Sequence, residues 1–192
     1  RARLARRLDG LVGGVPHEAA GWDLQRALLE TLEGRWREPD EGIWEVRGPR
    51  RQFTHSKVMA WVAADRAVKT VEQFGYEGPV DRWRSLRAEI HRDVCSQGFD
   101  PDRNTFTQYY GAPHLDASLL MIPLVGFLPP SDPRVVGTVD AVQRELCHDG
   151  FVLRYRTDTD GEVDGLPAGE GAFLPCTFWL ADNLMLLGRR AE

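Results

Sequence analysis

"HSKVMAWVAADRAVKTVEQFG", residues 55–75, decides the fold. Val58, Trp61, Val62, Val68, Val71 and Phe74 lean to one side at helical spacing, and Gly75 closes the run. A stripe of that period predicts a helix over 55–74 with one face pressed against other elements. The flanking segments repeat the pattern. Leu24, Leu28 and Leu32 predict a helix over 18–33 stopped by Gly34. Trp83, Leu86, Ile90 and Val94 predict one over 79–96, entered through Pro79 and ended at Gly98. Val135, Val139, Val142 and Leu146 predict a helix over 132–147 behind Ser131-Asp132-Pro133. The segment 115–127, LDASLLMIPLVGF, is apolar almost all round and reads as a short buried helix; a last helix is expected over 171–188.

The connectors are of two kinds. Gly75–Gly78 and Leu128–Asp132 are short turns, whereas Pro39–Thr54, Gly98–His114 and Gly150–Gly171 are long, polar and aromatic. That alternation predicts an all-α fold of helical hairpins side by side, with the long loops gathered at one end. Functional residues collect on long loops held by a rigid frame. The 98–114 loop alternates Phe99, Thr105, Thr107 and Tyr109, which predicts a small β-hairpin over the Pro-Asp-Arg-Asn turn. No repeat of the tetratricopeptide or ankyrin kind is present.

Composition narrows the function class. A chain of 192 residues, 42% hydrophobic and 28% charged, can bury a core, and its net charge of -5 argues against a nucleic-acid binder. The basic run Arg1, Arg3, Arg6 and Arg7 reads as a solvated helix face. No apolar run reaches the ~18 residues of a membrane span, so neither a nucleic-acid nor a membrane partner is expected. Cys95, Cys147 and Cys176 lack metal or disulfide spacing and are expected to be reduced thiols in a cytoplasmic protein.

The chemistry sits on the long loops. Trp44 beside Glu45 offers an apolar wall that would raise a carboxyl pKa and keep it protonated as a general acid, with Arg47 and His55 near by as donors. The same residues equally allow Trp44 to plug the core while Glu45 pairs with Arg47. Asp116 reads either as a helix cap or as a site carboxylate. Arg154-Tyr155 forms a plausible ligand clamp. The acidic run Asp158, Asp160, Glu162 and Asp164 lacks the order of a calcium loop. Glu170 is either a pocket carboxyl or a charge favoured by the helix it precedes. No histidine has a partner at metal or triad spacing.

The segments "GIWEVRG…FTHSKVMAWVAADRA", "GFDP…TFTQYYG…LDASLLMIPLVGFLPPSDPRV" and "GFVLRYRTDTDGEVDGLPAGEGAFLPCTFWLADNL" resemble, in this order, the bacterial branch of glycoside hydrolase family 15, from Trp22 to the end. That family holds glucoamylases, glucodextranases and trehalases. The resemblance implies an (α/α)6 barrel, a ring of helical hairpins with its active site on the long-loop end. It implies Glu45 as the proton donor to a glycosidic oxygen and Arg154 as the residue holding the nonreducing-end glucose. Trp44, Arg47, Asp116 and Tyr155 are then pocket residues, with Glu170 near the aglycone side. The substrate it implies is an α-glucoside, trehalose or an α-glucan end, hydrolysed with inversion and without a metal or organic cofactor.

Two of the family's features are missing from these residues: a Trp-x-Arg-Asp motif that grips the innermost glucose, and a Glu-Glu loop carrying the general base. The expectation is therefore that residues 1–192 form part of a single catalytic domain, about half of the barrel. The base is then outside these residues or is Glu170. An open barrel face also invites self-association, and leaves an alternative: an incomplete fragment, inactive alone or binding only carbohydrate or a partner chain.

Overall fold

A computed structural model describes residues 19–156 and 172–190. The described residues form six α-helices: α1 (Ala19–Arg35), α2 (Thr54–Phe74), α3 (Val80–Gln97), α4 (Met121–Leu124), α5 (Pro133–Leu146) and α6 (Leu174–Leu186). Strands β1 (Phe99–Asp100), β2 (Thr105–Phe106), β3 (Cys147–His148) and β4 (Phe151–Val152) make two small antiparallel hairpins. The basic run at Arg1–Arg7, the acidic run Asp158–Asp164 and Glu170 lie outside the described residues.

Helices α2 and α3 are the central hairpin. Val58, Trp61, Ala64 and Val68 of α2 share one buried cluster with Trp83, Leu86, Ile90 and Val94 of α3. The alanines of α2 keep its surface low, so the bulky Trp83 fits between the helices. The Gly75 N–H reaches back to the Val71 carbonyl at 3.0 Å and ends α2 in the left-handed conformation expected of such a stop. Of the residues expected to face inward, Phe74 is exposed.

The inward face of α1 differs from the leucine spacing. Leu24 and Leu28 are each 61% exposed, and the buried residues are Trp22 and Leu29. Trp22 stands edge-on to Trp83 with ring centroids 5.8 Å apart, and its indole N–H donates to the Glu77 carbonyl at 2.9 Å. An indole buries more apolar area than a leucine and brings a donor that needs a partner, so Trp22 sets the rotation of the helix. Gly34 lies within the last turn rather than ending it. Beyond the helix end, the buried Lys57 ammonium donates to the Trp36 and Glu38 carbonyls, each at 2.7 Å.

The helix expected over 115–127 is replaced by a 3₁₀ turn, Ala117–Leu120, followed by the short α4. Asp116 is extended and caps the turn by accepting from the Ser118 N–H at 2.7 Å, while Pro123 interrupts the ladder from within α4. Helix α5 matches its expected face, with Val135, Val139, Val142 and Leu146 buried. Asp132 caps it and Pro133 occupies the first turn.

The β1–β2 hairpin forms over the foreseen turn, pairing Phe99 with Phe106. Its tip lies so close to α5 that a Cβ at Gly137 would collide with the Asn104 carbonyl and side chain. A second hairpin, β3–β4, turns through Asp149-Gly150, both with positive φ, and takes Cys147, expected as the end of the preceding helix, into its first strand. Helix α6 buries Cys176, Leu180, Asn183 and Leu184 but leaves Leu174, Phe178, Met185 and Leu186 exposed. Among the described residues no helix is long and apolar enough to cross a membrane.

Candidate active site

The loop from α1 to α2 is folded on Asp40. Its backbone pairs with Arg51 in both directions, at 3.0 and 2.9 Å. Its Oδ1 accepts from the Gly42 N–H at 2.6 Å and the Ser56 hydroxyl at 2.9 Å. Gly42 has φ 71° and packs against the Phe53 ring so closely that a Cβ would meet it at 2.9 Å. The turn that follows is closed by the Glu45 N–H on the Gly42 carbonyl and by the Val46 N–H on the Glu41 carbonyl.

Glu45 therefore stands at the apex of a tight turn. Its φ of 50° is left-handed, a conformation that costs a non-glycine residue about 1–3 kcal/mol and persists only when the surroundings hold it. They do: Val46 is buried behind it and Trp44 is half-buried before it, while the Glu45 side chain is exposed. Among the described residues no ion pair joins Glu45 to Arg47, which is also exposed.

Trp44 is where the loops meet. Its indole N–H donates to both oxygens of Asp116, at 3.0 and 2.9 Å. Phe173 stands edge-on to the ring at 5.7 Å, and Trp179 of α6 lies tilted at 6.3 Å. The Arg154 guanidinium sits over the ring, 5.3 Å from its centroid. Asp116 pairs its backbone with Tyr155, and the Ala117 N–H donates to the Arg154 carbonyl at 2.7 Å. Tyr155 is itself buried, with its ring 5.6 Å from the Arg154 guanidinium. Residues from the third long loop, from the turn that follows the second, and from α6 and its entry thus converge on one indole of the first.

The burial expected at Glu45 from its tryptophan neighbour is found at Asp116 instead. That carboxylate is 2% exposed and also accepts from the Gln108 amide at 3.1 Å. Burial pushes the Asp116 carboxyl above its ordinary range, against the donors of Ser118, Trp44 and Gln108, which favour the ion. His55, half-buried near by, is pushed below its ordinary 6.5 by burial, with Asp116 and Asp40 opposing the shift. Beside the turn opens a cleft of about 410 Å³ lined by Leu32, Gly42, Ile43, His55, Met59 and Ala60. No group of three or more His, Cys, Asp or Glu among the described residues stands where it could hold a metal ion.

Of the residues predicted from sequence, Trp44, Glu45, Asp116, Arg154 and Tyr155 are brought together. Arg47 stays on the exposed rim, and Glu170 lies outside the described residues. Gln108, Phe173 and Trp179 were not anticipated. Trp179 falls on a helix whose apolar residues run all round, so periodicity gave its direction no signal.

The pattern of the glycosyl hydrolases family 15 matches residues 8–190. A trehalase of Mycobacterium tuberculosis is 49% identical over 168 residues, 87% of this chain and 24% of the relative. A trehalase of Thermoplasma acidophilum is 41% identical over 178 residues, 92% of this chain and 30% of the relative. A solved glycosidase in complex with glucose superposes with a TM-score of 0.71 at 22% identity, over 85% of this chain and 41% of that one. That likeness shows the fold, a fragment of an (α/α)6 barrel. The chain spans 30% or less of the length of these two trehalases. By the match along nearly its whole length, it belongs to glycosyl hydrolase family 15.

Proposed function

We propose that this chain carries the general-acid half of a glycoside hydrolase site acting on α-glucosidic bonds, with trehalose the first candidate and nonreducing ends of α-glucans the second. The observation that carries the reading is the convergence on Trp44: the exposed Glu45 follows it directly in the chain, and Arg154 stacks over its ring. The names of the relatives favour trehalose.

In this reading Arg154 and the aromatic face of Trp44 hold a glucose ring, the cation toward hydroxyls and the indole toward C–H groups. Glu45 protonates the departing glycosidic oxygen. Sugar seated over the turn excludes water from the exposed carboxyl and so supplies its burial. A second carboxylate activates water on the opposite face, ~6.5–9.5 Å from the first, and the anomeric centre inverts. That base is outside these residues or is Glu170. Both proton transfers are carried by carboxylates, so the mechanism calls for no metal or organic cofactor. Residues 1–192 form part of one catalytic domain, about half of the ring, and the free thiols Cys95, Cys147 and Cys176 suit a reducing compartment such as the cytoplasm. Release of glucose from trehalose and maltose tests the reading, with Glu45→Gln as the control.

The exposed apolar residues favour a second reading. Leu24 and Leu28 on α1, with Phe178 and Met185 on α6, are uncovered on the first and last described helices. In that reading these 192 residues alone are an incomplete site that associates with a second copy through those faces. Sedimentation of the isolated chain separates the two: a chain that stays monomeric excludes the second reading.

A further inference from the structure

We propose that Asp116 is a positioning residue and not a sugar ligand: its carboxylate fixes the Trp44 indole, and thereby the turn that aims Glu45, to the segment that carries Arg154. The proposal rests on the reading of Glu45 as the acid.

The acceptor capacity of Asp116 is fully used. Oδ1 accepts from the Trp44 indole at 3.0 Å and the Ser118 N–H at 2.7 Å. Oδ2 accepts from the same indole at 2.9 Å and from the Gln108 amide at 3.1 Å. A carboxylate offers about four lone-pair positions, so none is left for a sugar hydroxyl. At 2% exposure the side chain also has no face toward solvent from which a sugar would approach.

What the residue does instead follows from its connections. Its side chain holds the loop of Trp44, and its backbone bridges to Tyr155 while its neighbour Ala117 bonds to the Arg154 carbonyl. Asp116 is thus the joint between the proton donor's turn and the segment of the arginine. The turn needs such a joint, because Glu45 sits in a conformation that the backbone does not favour. Gln108 holds the joint from behind: its amide N–H₂ faces the carboxylate while its own carbonyl oxygen is buried without a partner among the described residues. That arrangement places a donor on the carboxylate at the cost of an unsatisfied oxygen.

The test is a double-mutant cycle in the full-length polypeptide that contains these residues, with kcat and KM measured for trehalose and maltose. Asp116→Asn keeps the volume but replaces one acceptor oxygen by an amide that faces other donors. Trp44→Phe keeps a ring and removes the N–H, leaving Asp116 its other partners. Each single variant is expected to lower kcat on the order of 10²-fold, the effect of displacing a catalytic group by about 1 Å, with KM nearly unchanged. The double variant is expected to be no worse than the worse single one. A rise in KM with kcat unchanged in Asp116→Asn that Trp44→Phe does not share would mean direct sugar contact and overturn the proposal. Losses that multiply in the double variant would do the same. If Asp116→Asn does not fold, Trp44→Phe alone decides, and an unchanged kcat overturns the proposal. Glu45→Gln is run beside them. Its equality with wild type, or a wild type without hydrolysis, refutes the reading of Glu45 and not the geometry of the joint.

Discussion

The Trp44 indole and the Asp116 carboxylate, 72 residues apart in the chain, are bonded through both carboxylate oxygens. One partner precedes the exposed Glu45; the other opens the buried turn that leads into the core. A contact of that sequence separation ties the long loop to the packed core. It is the reason a polar pair is tolerated where the surrounding helices are packed with leucine and valine.

Lys57 has the corresponding task at the other end of the same loop. It is buried, its ammonium is bonded to the Trp36 and Glu38 carbonyls, and Asp40 lies 4.0 Å away. Lys57→Met keeps the stem but leaves both carbonyls without their donor. Its cost is expected to be about 1–3 kcal/mol for the unpaired groups. Urea denaturation checks this; a midpoint equal to wild type would show that water replaces the ammonium.

His55 gives the fold a pH dependence. Burial holds its pKa below the ordinary 6.5, and the opposing attraction of Asp116 and Asp40 does not restore it. As pH falls through 6.5 the unfolded chain takes up a proton that the folded chain refuses, so stability declines on acidification and is fully present above that value. His91 contributes in the same sense, lowered by its burial and by Arg134. The slope of stability against pH, from urea midpoints between about 6.5 and 5, is expected to be shallower in His55→Gln. An unchanged slope would remove His55 from this account.

Gly137 is a glycine inside a helix, where propensity alone disfavours it. Its place is set by the β1–β2 tip, whose Asn104 occupies the space a Cβ would need. Gly137→Ala is therefore expected to destabilise by about 1–3 kcal/mol, although alanine is the better helix former. Thermal melting reads the sign, and a stabilised variant would contradict the close approach.

Much of this frame is legible in the sequence where one apolar face is distinct. Helices α2, α3 and α5 follow their valine, tryptophan and leucine spacing because each has one partner side. The leucines of α1 mislead, since Leu24 and Leu28 repeat with the right period on the side that Trp22 turns outward. The 115–127 segment misleads for the opposite reason. It is apolar all round, so no period shows that Asp116 and Pro123 split it. Residues of the site are legible one loop at a time. Glu45 with Trp44 and Arg154 with Tyr155 stand out as local pairs, but composition left the role of Glu45 open, and only the family resemblance named it as an acid. The bond from Trp44 to Asp116 has no local signal, because neither residue's neighbours differ for its being made.

The central claim is that Glu45 delivers a proton to the leaving oxygen, and leaving-group dependence tests it most directly. Glucose release by wild type and Glu45→Gln is measured on trehalose and on α-glucosyl fluoride in the full-length polypeptide. A sugar oxygen needs protonation to depart and fluoride needs far less. The variant is expected to lose about 10²–10⁴-fold on trehalose and much less on the fluoride. Equal losses on both substrates, or none on trehalose, would contradict the assignment.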